Sequence, residues 1–165
     1  SGTVRFHGED LARLREAELV QIRRHKIGFV FQSFGLMPLL SAQENVELPL
    51  HIGGVSWRER RRRAHEALAA VGLGSRARHR PFELSGGEQQ RVSIARALVT
   101  MPDVVFADEP TGELDTATAR SIAETLGEVA SSRRATVIIA THDLELAATA
   151  QRRLDLVDGE IISER

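Results

Sequence analysis

The chain has 165 residues, 22 Lys+Arg against 23 Asp+Glu, and a formal net charge of -1. At 42% hydrophobic and 27% charged it has the length and composition of one folded globular domain, and its near-neutral balance argues against a chain that coats nucleic acid or an acidic membrane. It has no cysteine, which excludes disulfides, thiolate zinc sites and thiol nucleophiles, and no apolar run approaches the roughly 20 residues that span a bilayer.

In chain order, residues 3–6 alternate apolar and polar as a half-buried strand does, and Gly8-Glu9-Asp10 turns the chain. Residues 11–24 are charged, with Leu11, Leu14, Leu19 and Ile22 at loosely helical spacing. Residues 27–31 read as a buried strand with a polar exit at Gln32. Residues 33–49 are mixed, and Ser41 followed by Glu44 makes a capping box. Residues 57–71 form a strong helix with Ala64, Leu68 and Val71 on one face, stopped by Gly72 and Gly74. A loop over 79–87 leads to a helix over 88–99, whose apolar face carries Val92, Ala95 and Val99. The continuous apolar run 104–107 predicts a strand covered on both faces. A helix over 116–131, a strand over 136–140, a short helix over 144–150 and a hairpin around Asp158-Gly159 complete the chain. Strands alternating with helices point to an α/β fold with a mostly parallel sheet.

Four patterns carry chemistry. Asp108 and Glu109 follow the apolar strand at its open end, where ligands of parallel sheets bind. One acid suits Mg²⁺ and the next can polarise water. Ser85-Gly86-Gly87 precedes a helix, where backbone N–H groups and the helix dipole favour an anion. His142 and Gln32 each sit just beyond a strand. Taken singly, each pattern also fits a plain strand exit, helix cap or polar loop.

Their order changes the reading. Gln32, the run Leu84-Ser85-Gly86-Gly87-Glu88-Gln89-Gln90-Arg91, the strand ending Asp108-Glu109-Pro110-Thr111, residues 112–115 and His142 together resemble an ATP-binding-cassette (ABC) ATPase over essentially the whole chain. The resemblance implies a P-loop NTPase-type α/β fold, a mostly parallel sheet with a helical subdomain. Residues 1–32 and 101–165 would then be ATPase core, and 33–100 the helical subdomain with the signature. ATP and Mg²⁺ are the implied cofactors. Asp108 resembles the Walker B aspartate and, with Gln32 of the Q-loop, would serve the metal. Glu109 resembles the catalytic glutamate and His142 the switch histidine. Ser85, Gly86, Gly87 and Gln89 belong to the signature that closes over ATP held by a second subunit, and Asp115 resembles the D-loop aspartate that couples the two sites. Catalysis would be mainly positioning and charge stabilisation.

The family's Gly-x-x-x-x-Gly-Lys-Ser/Thr loop, the Walker A motif, is absent from these 165 residues, and Lys26 cannot replace it. The family places that loop upstream of the strand resembling residues 3–6. The expectation is therefore a chain truncated before residue 1, with N-terminal strands and P-loop absent, that binds ATP weakly and does not turn it over. Gln32 and Ser85 lie 53 positions apart, too short for a coiled-coil arm, which disfavours the chromosome-maintenance and repair ATPases. Residues 31–38 and 44–50 resemble the lipoprotein-release, macrolide-export and cell-division branch. That resemblance implies a homodimer at the cytoplasmic face of the inner or plasma membrane, peripheral, energising a permease. Phe34, Leu36, Met37 and Leu39 are the expected permease contacts. A cell-division-type ATPase that moves no solute and a non-catalytic permease-binding remnant are the alternative readings. The arginine-rich run 58–63 reads as a solvated helical face, so no nucleic-acid partner is expected.

Overall fold

The structure is a computed structural model that describes residues 2–132 and 135–164. β1 (Arg5–Phe6) and β2 (Glu9–Asp10) pair antiparallel around His7 and Gly8, whose φ angles are +49° and +84°. The turn thus falls earlier than the sequence reading puts it, and Glu9 and Asp10 are strand. Asp10 then caps a 3-10 turn, and α1 (Glu16–Lys26) begins only after Leu14 has gone extended. The Arg15 amide and guanidinium both donate to Glu18, which fixes that start.

α1 leads directly into β3 (Ile27–Val30), one residue shorter than expected. The Ser41–Glu44 capping box forms as predicted and starts α2 (Ala42–Ile52), which continues past Pro49. α3 (Trp57–Ala70) buries Ala64 and Leu68 and ends before Gly72, at φ +77°. α4 (Gly86–Leu98) follows a 3-10 turn at Pro81–Glu83. β4 (Val104–Asp108), α5 (Thr116–Ser131), β5 (Thr136–Ala140) and α6 (Leu144–Ala148) come next. β6 (Leu154–Val157) and β7 (Glu160–Glu164) close the described chain as an antiparallel hairpin, with Asp158 and Gly159 both at positive φ.

The central sheet is parallel in the order β3-β4-β5, with Val30 opposite Ala107 and Asp108 opposite Ala140. α4 and α5 pack on one face, where Val30, Val105 and Ala107 are buried with Val92, Ile94, Ile122 and Leu126. α4 also packs against α2 and α3, so one helix joins the sheet to the helical layer. The run 104–107 is covered on one face only. On the other, Phe29, Phe106 and Ile138 stand in register at 41%, 37% and 48% exposure. Phe29 stacks between Phe31 and Phe106 there. A continuous apolar run does not distinguish one covered face from two.

Candidate functional site

Parallel pairing brings three strand ends to one edge of the sheet. Because Val30 pairs with Ala107 and Asp108 with Ala140, the residues just beyond these pairs are neighbours: Gln32, Asp108 with Glu109, and Thr141 with His142. Four of the residues singled out in the sequence are therefore gathered by register alone.

Glu109 is the most tightly held of them. Its φ is +44°, a conformation that costs a non-glycine residue roughly 1–3 kcal/mol. Its amide donates to Ala140 O at 2.9 Å, anchoring the turn to β5. The His142 amide donates to Oε1 at 2.9 Å, His142 Nδ1 lies 2.6 Å from the same oxygen, and the Thr141 hydroxyl donates to Oε2 at 3.0 Å. Burial raises the Glu109 carboxyl, but the bonds from His142 and Thr141 outweigh it and hold it below the usual carboxylate range. The same hydrogen bond and charge raise His142 above the ordinary imidazole value. NMR should find His142 titrating above about 6.5, and Glu109→Gln should bring it down towards that value. An unchanged titration in the variant would contradict the pairing.

Asp108 and Gln32 are solvent-exposed, with oxygen donors at the same edge. Gln32 packs on Gly112, where an added Cβ would stand 3.1 Å from Gln32 Nε2. Among the described residues no group of three His, Cys, Asp or Glu side chains forms a metal cage.

The Ser-Gly-Gly run is not a loop before the helix, as the reading of 79–87 had it, but the helix start itself. Ser85 is the N-cap: its Oγ accepts from the Glu88 amide at 3.3 Å while its own amide donates to Glu88 Oε2 at 2.8 Å. The Ser85 amide is the main reason the Glu88 carboxyl titrates low, and Arg76 stands 3.3 Å away. Ser85 is exposed. Gly86 and Gly87 also have an intrachain role. A Cβ on Gly86 would meet Leu114 at 3.4 Å and Phe34 at 3.6 Å, and one on Gly87 would overlap the Thr118 methyl. Gly87→Ala should therefore destabilise the fold by about 1–3 kcal/mol in denaturant titrations, and Thr118→Ser should restore most of the loss. No rescue would mean that the glycine is not required by packing on α5.

Gln89 and Asp115 face local backbone. Gln89 Nε2 donates to Leu84 O at 3.1 Å. Asp115 is the N-cap of α5, accepting from the Ala117 and Thr118 amides and from the Thr118 hydroxyl at 2.6 Å, and the Thr118 bonds hold its carboxyl low.

Sequence reasoning gave no role to two residues that tie these parts together. Gln90 is fully buried, and its Nε2 donates to Pro110 O at 2.6 Å and to Phe31 O at 3.4 Å. It thus joins the signature helix to the exits of both β4 and β3. Arg96, on the same helix, donates to Gly35 O at 2.5 Å and to Phe34 O at 3.0 Å. The one local signal was a polar residue among the apolar positions of a helix, and it did not name the partners.

A third anchor, the buried Asn45, sets the loop after Gln32. Asn45 donates to the carbonyls of Met37, Leu40 and Ser41 and accepts from the Met37 amide at 2.7 Å. The loop it fixes holds Leu39 at 80% and Met37 at 48% exposure, while Leu36 packs against the core and Phe34 is half-buried.

The model of the ABC transporter family matches residues 1–112. Over 164 residues the chain is 50% identical to the lipoprotein-releasing system ATP-binding protein LolD of Geobacter metallireducens, covering 99% of this chain and 73% of that protein. It is 44% identical over 164 residues to the macrolide export ATP-binding/permease protein MacB of Marinobacter nauticus, again 99% of this chain but 25% of that protein. The dimeric post-hydrolysis structure of the ATP-binding cassette MJ0796 bound to ADP and Pi superposes with a TM-score of 0.85 at 44% identity, spanning 100% of this chain and 73% of that one. A second dimeric MJ0796 structure, described as a bacterial ABC transporter cassette, gives 0.87 at 46% identity, with the same coverage. With three strand ends converging on one sheet edge, a glycine-started signature helix and these relatives, the chain belongs to the ABC transporter family.

Proposed function

We propose that this chain supplies the hydrolytic edge and the signature of an ATP-hydrolysing cassette that works as a head-to-tail dimer and energises a membrane permease. The observation that carries this reading is the convergence of Gln32, Asp108, Glu109 and His142, with Glu109 held by donors from the next strand end. In this reading residues 1–32 and 101–165 act as ATPase core, and 33–100 as the helical subdomain.

Glu109 is placed to orient the attacking water and take its proton, since its carboxylate stays ionised and is fixed in direction. His142 uses Nδ1 to hold Glu109, which would leave the rest of its 86%-exposed side chain free to meet a phosphoryl group. Ser85 is exposed at the start of α4, where it and the helix's first amides would grip the γ-phosphate of ATP on the other subunit. The residues fit Mg²⁺: Asp108 and Gln32 would hold it with hard oxygen donors, leaving the rest of its shell to phosphate oxygens and water. Bound there, the ion would neutralise charge on the transferred phosphoryl group.

The permease would dock on the loop that Asn45 fixes. Leu39 and Met37 supply its exposed apolar contacts, and Phe34 and Leu36 its half-buried base. Such docking would put the cassette peripherally at the cytoplasmic face of a membrane. Among the described residues no helix is long and apolar enough to cross one.

Residues 1–165 alone lack the phosphate-binding Gly-Lys-Ser/Thr loop, so by themselves they should not turn over ATP. Joined to an upstream segment that bears this loop, the chain should hydrolyse Mg-ATP well above background. Turnover by residues 1–165 alone, or none by the joined chain when it is folded and dimeric, would overturn the reading.

A further inference from the structure

The arginine-rich run on α3 does not behave as one solvated face. It holds five arginines between 58 and 63. Arg60 donates to Val55 O at 3.4 Å and Arg63 to Val99 O at 2.6 Å, so both are tied to backbone. Arg62 is bracketed by Glu59 at 2.6 Å and Glu66 at 2.7 Å. Arg58 and Arg61 remain, and they line a groove between α3 and the segment that follows it. Arg78 enters the same groove from that segment. Trp57 forms one wall, 58% exposed, with the Arg61 guanidinium 5.6 Å from its ring centroid. No carboxylate pairs with Arg58, Arg61 or Arg78 among the described residues, and Glu66 on the groove wall is already committed to Arg62.

Three uncompensated guanidiniums from two separate elements thus share one concavity. Their mutual repulsion is relieved by an anion with several oxygens, and the planar fork of each guanidinium matches phosphate geometry. We propose that this groove binds a phosphate-bearing anion, either an anionic phospholipid headgroup or a soluble phosphate compound. The site is separate from the hydrolytic edge and the signature: neither the strand-end residues nor Ser85 line it. A concave site with an indole wall favours a compact anion over an extended acidic peptide.

The chain has one Trp and no Tyr, so its tryptophan emission reports this groove directly. The test is to titrate the 165-residue chain with pyrophosphate, and separately with phosphatidylglycerol or phosphatidylcholine vesicles, while following Trp57 emission. A saturable change is expected with pyrophosphate, with phosphatidylglycerol, or with both. It should weaken at least tenfold in the exposed-surface variant Arg58→Gln/Arg61→Gln/Arg78→Gln. Arg78→Gln alone, which leaves the indole contact intact, should weaken it at least threefold. Arg5→Gln/Arg24→Gln/Arg120→Gln removes the same charge elsewhere and should leave binding unchanged. A response to pyrophosphate alone assigns a soluble phosphate compound, and one to phosphatidylglycerol alone assigns a headgroup. The proposal fails if neither probe acts, if phosphatidylcholine acts equally, or if either groove variant binds as the native chain does.

Discussion

Glu109→Gln is expected to reduce ATP turnover at least ~100-fold in the chain joined to a phosphate-binding loop, with ATP binding retained. The amide has the same size as the carboxylate and still offers an oxygen to the Thr141 hydroxyl or the His142 amide, which lie 3.0 and 2.9 Å from the native carboxylate. What it loses is the charge and the capacity to accept a proton. The strained backbone at Glu109 and its bond to Ala140 O are independent of that side chain, so the turn should persist. The variant should therefore bind ATP, close its dimer and stall before hydrolysis. A matching loss of thermal stability would instead point to damage of the fold.

The second large effect is on stability. Gln90→Leu keeps the side-chain volume and removes the donor that serves Pro110 O at 2.6 Å and Phe31 O at 3.4 Å. Leaving a buried carbonyl unsatisfied costs about 1–3 kcal/mol. Part of this is offset, because Gln90 Oε1 has no partner among the described residues and leucine removes that polar atom as well. The net expectation is a loss of roughly 1–2 kcal/mol, which for a chain of this size lowers Tm by about 2–8 °C. Pro110 follows Glu109 and Phe31 precedes Gln32, so the same variant should loosen both loops. Faster amide hydrogen exchange at 32–35 and 111–113 would report this. Unchanged stability and exchange would show that Gln90 merely fills space.

The sequence made the α/β alternation and the site legible because both rest on local patterns. Apolar runs mark β3, β4 and β5, and the residues just beyond them are the polar ones that the parallel register collects at one edge. The Ser41–Glu44 box was readable since its bonds span three residues. The Ser85–Glu88 box has the same spacing, yet glycine's poor helix propensity moved the predicted start of α4 to Glu88, past the two residues that the cap sets in place. The partners of Gln90, Asn45 and Arg96 were not legible, because each reaches a backbone carbonyl in another segment. For Arg96 the reach is 61 residues. The sequence likewise showed an arginine-rich run at 58–63, while the structure divides it between backbone anchors, a paired arginine and an uncompensated groove.

Glu109 stands at an edge assembled from three strand ends, and its proposed role there is chemical. The most direct measurement is single-turnover phosphate release from Mg-ATP by the chain joined to a phosphate-binding loop, run beside its Glu109→Gln variant at matched ATP occupancy. With Glu109 as the catalytic base, release by the first is expected, at a rate at least ~100-fold above that of the second. Equal rates in the two proteins would contradict that role.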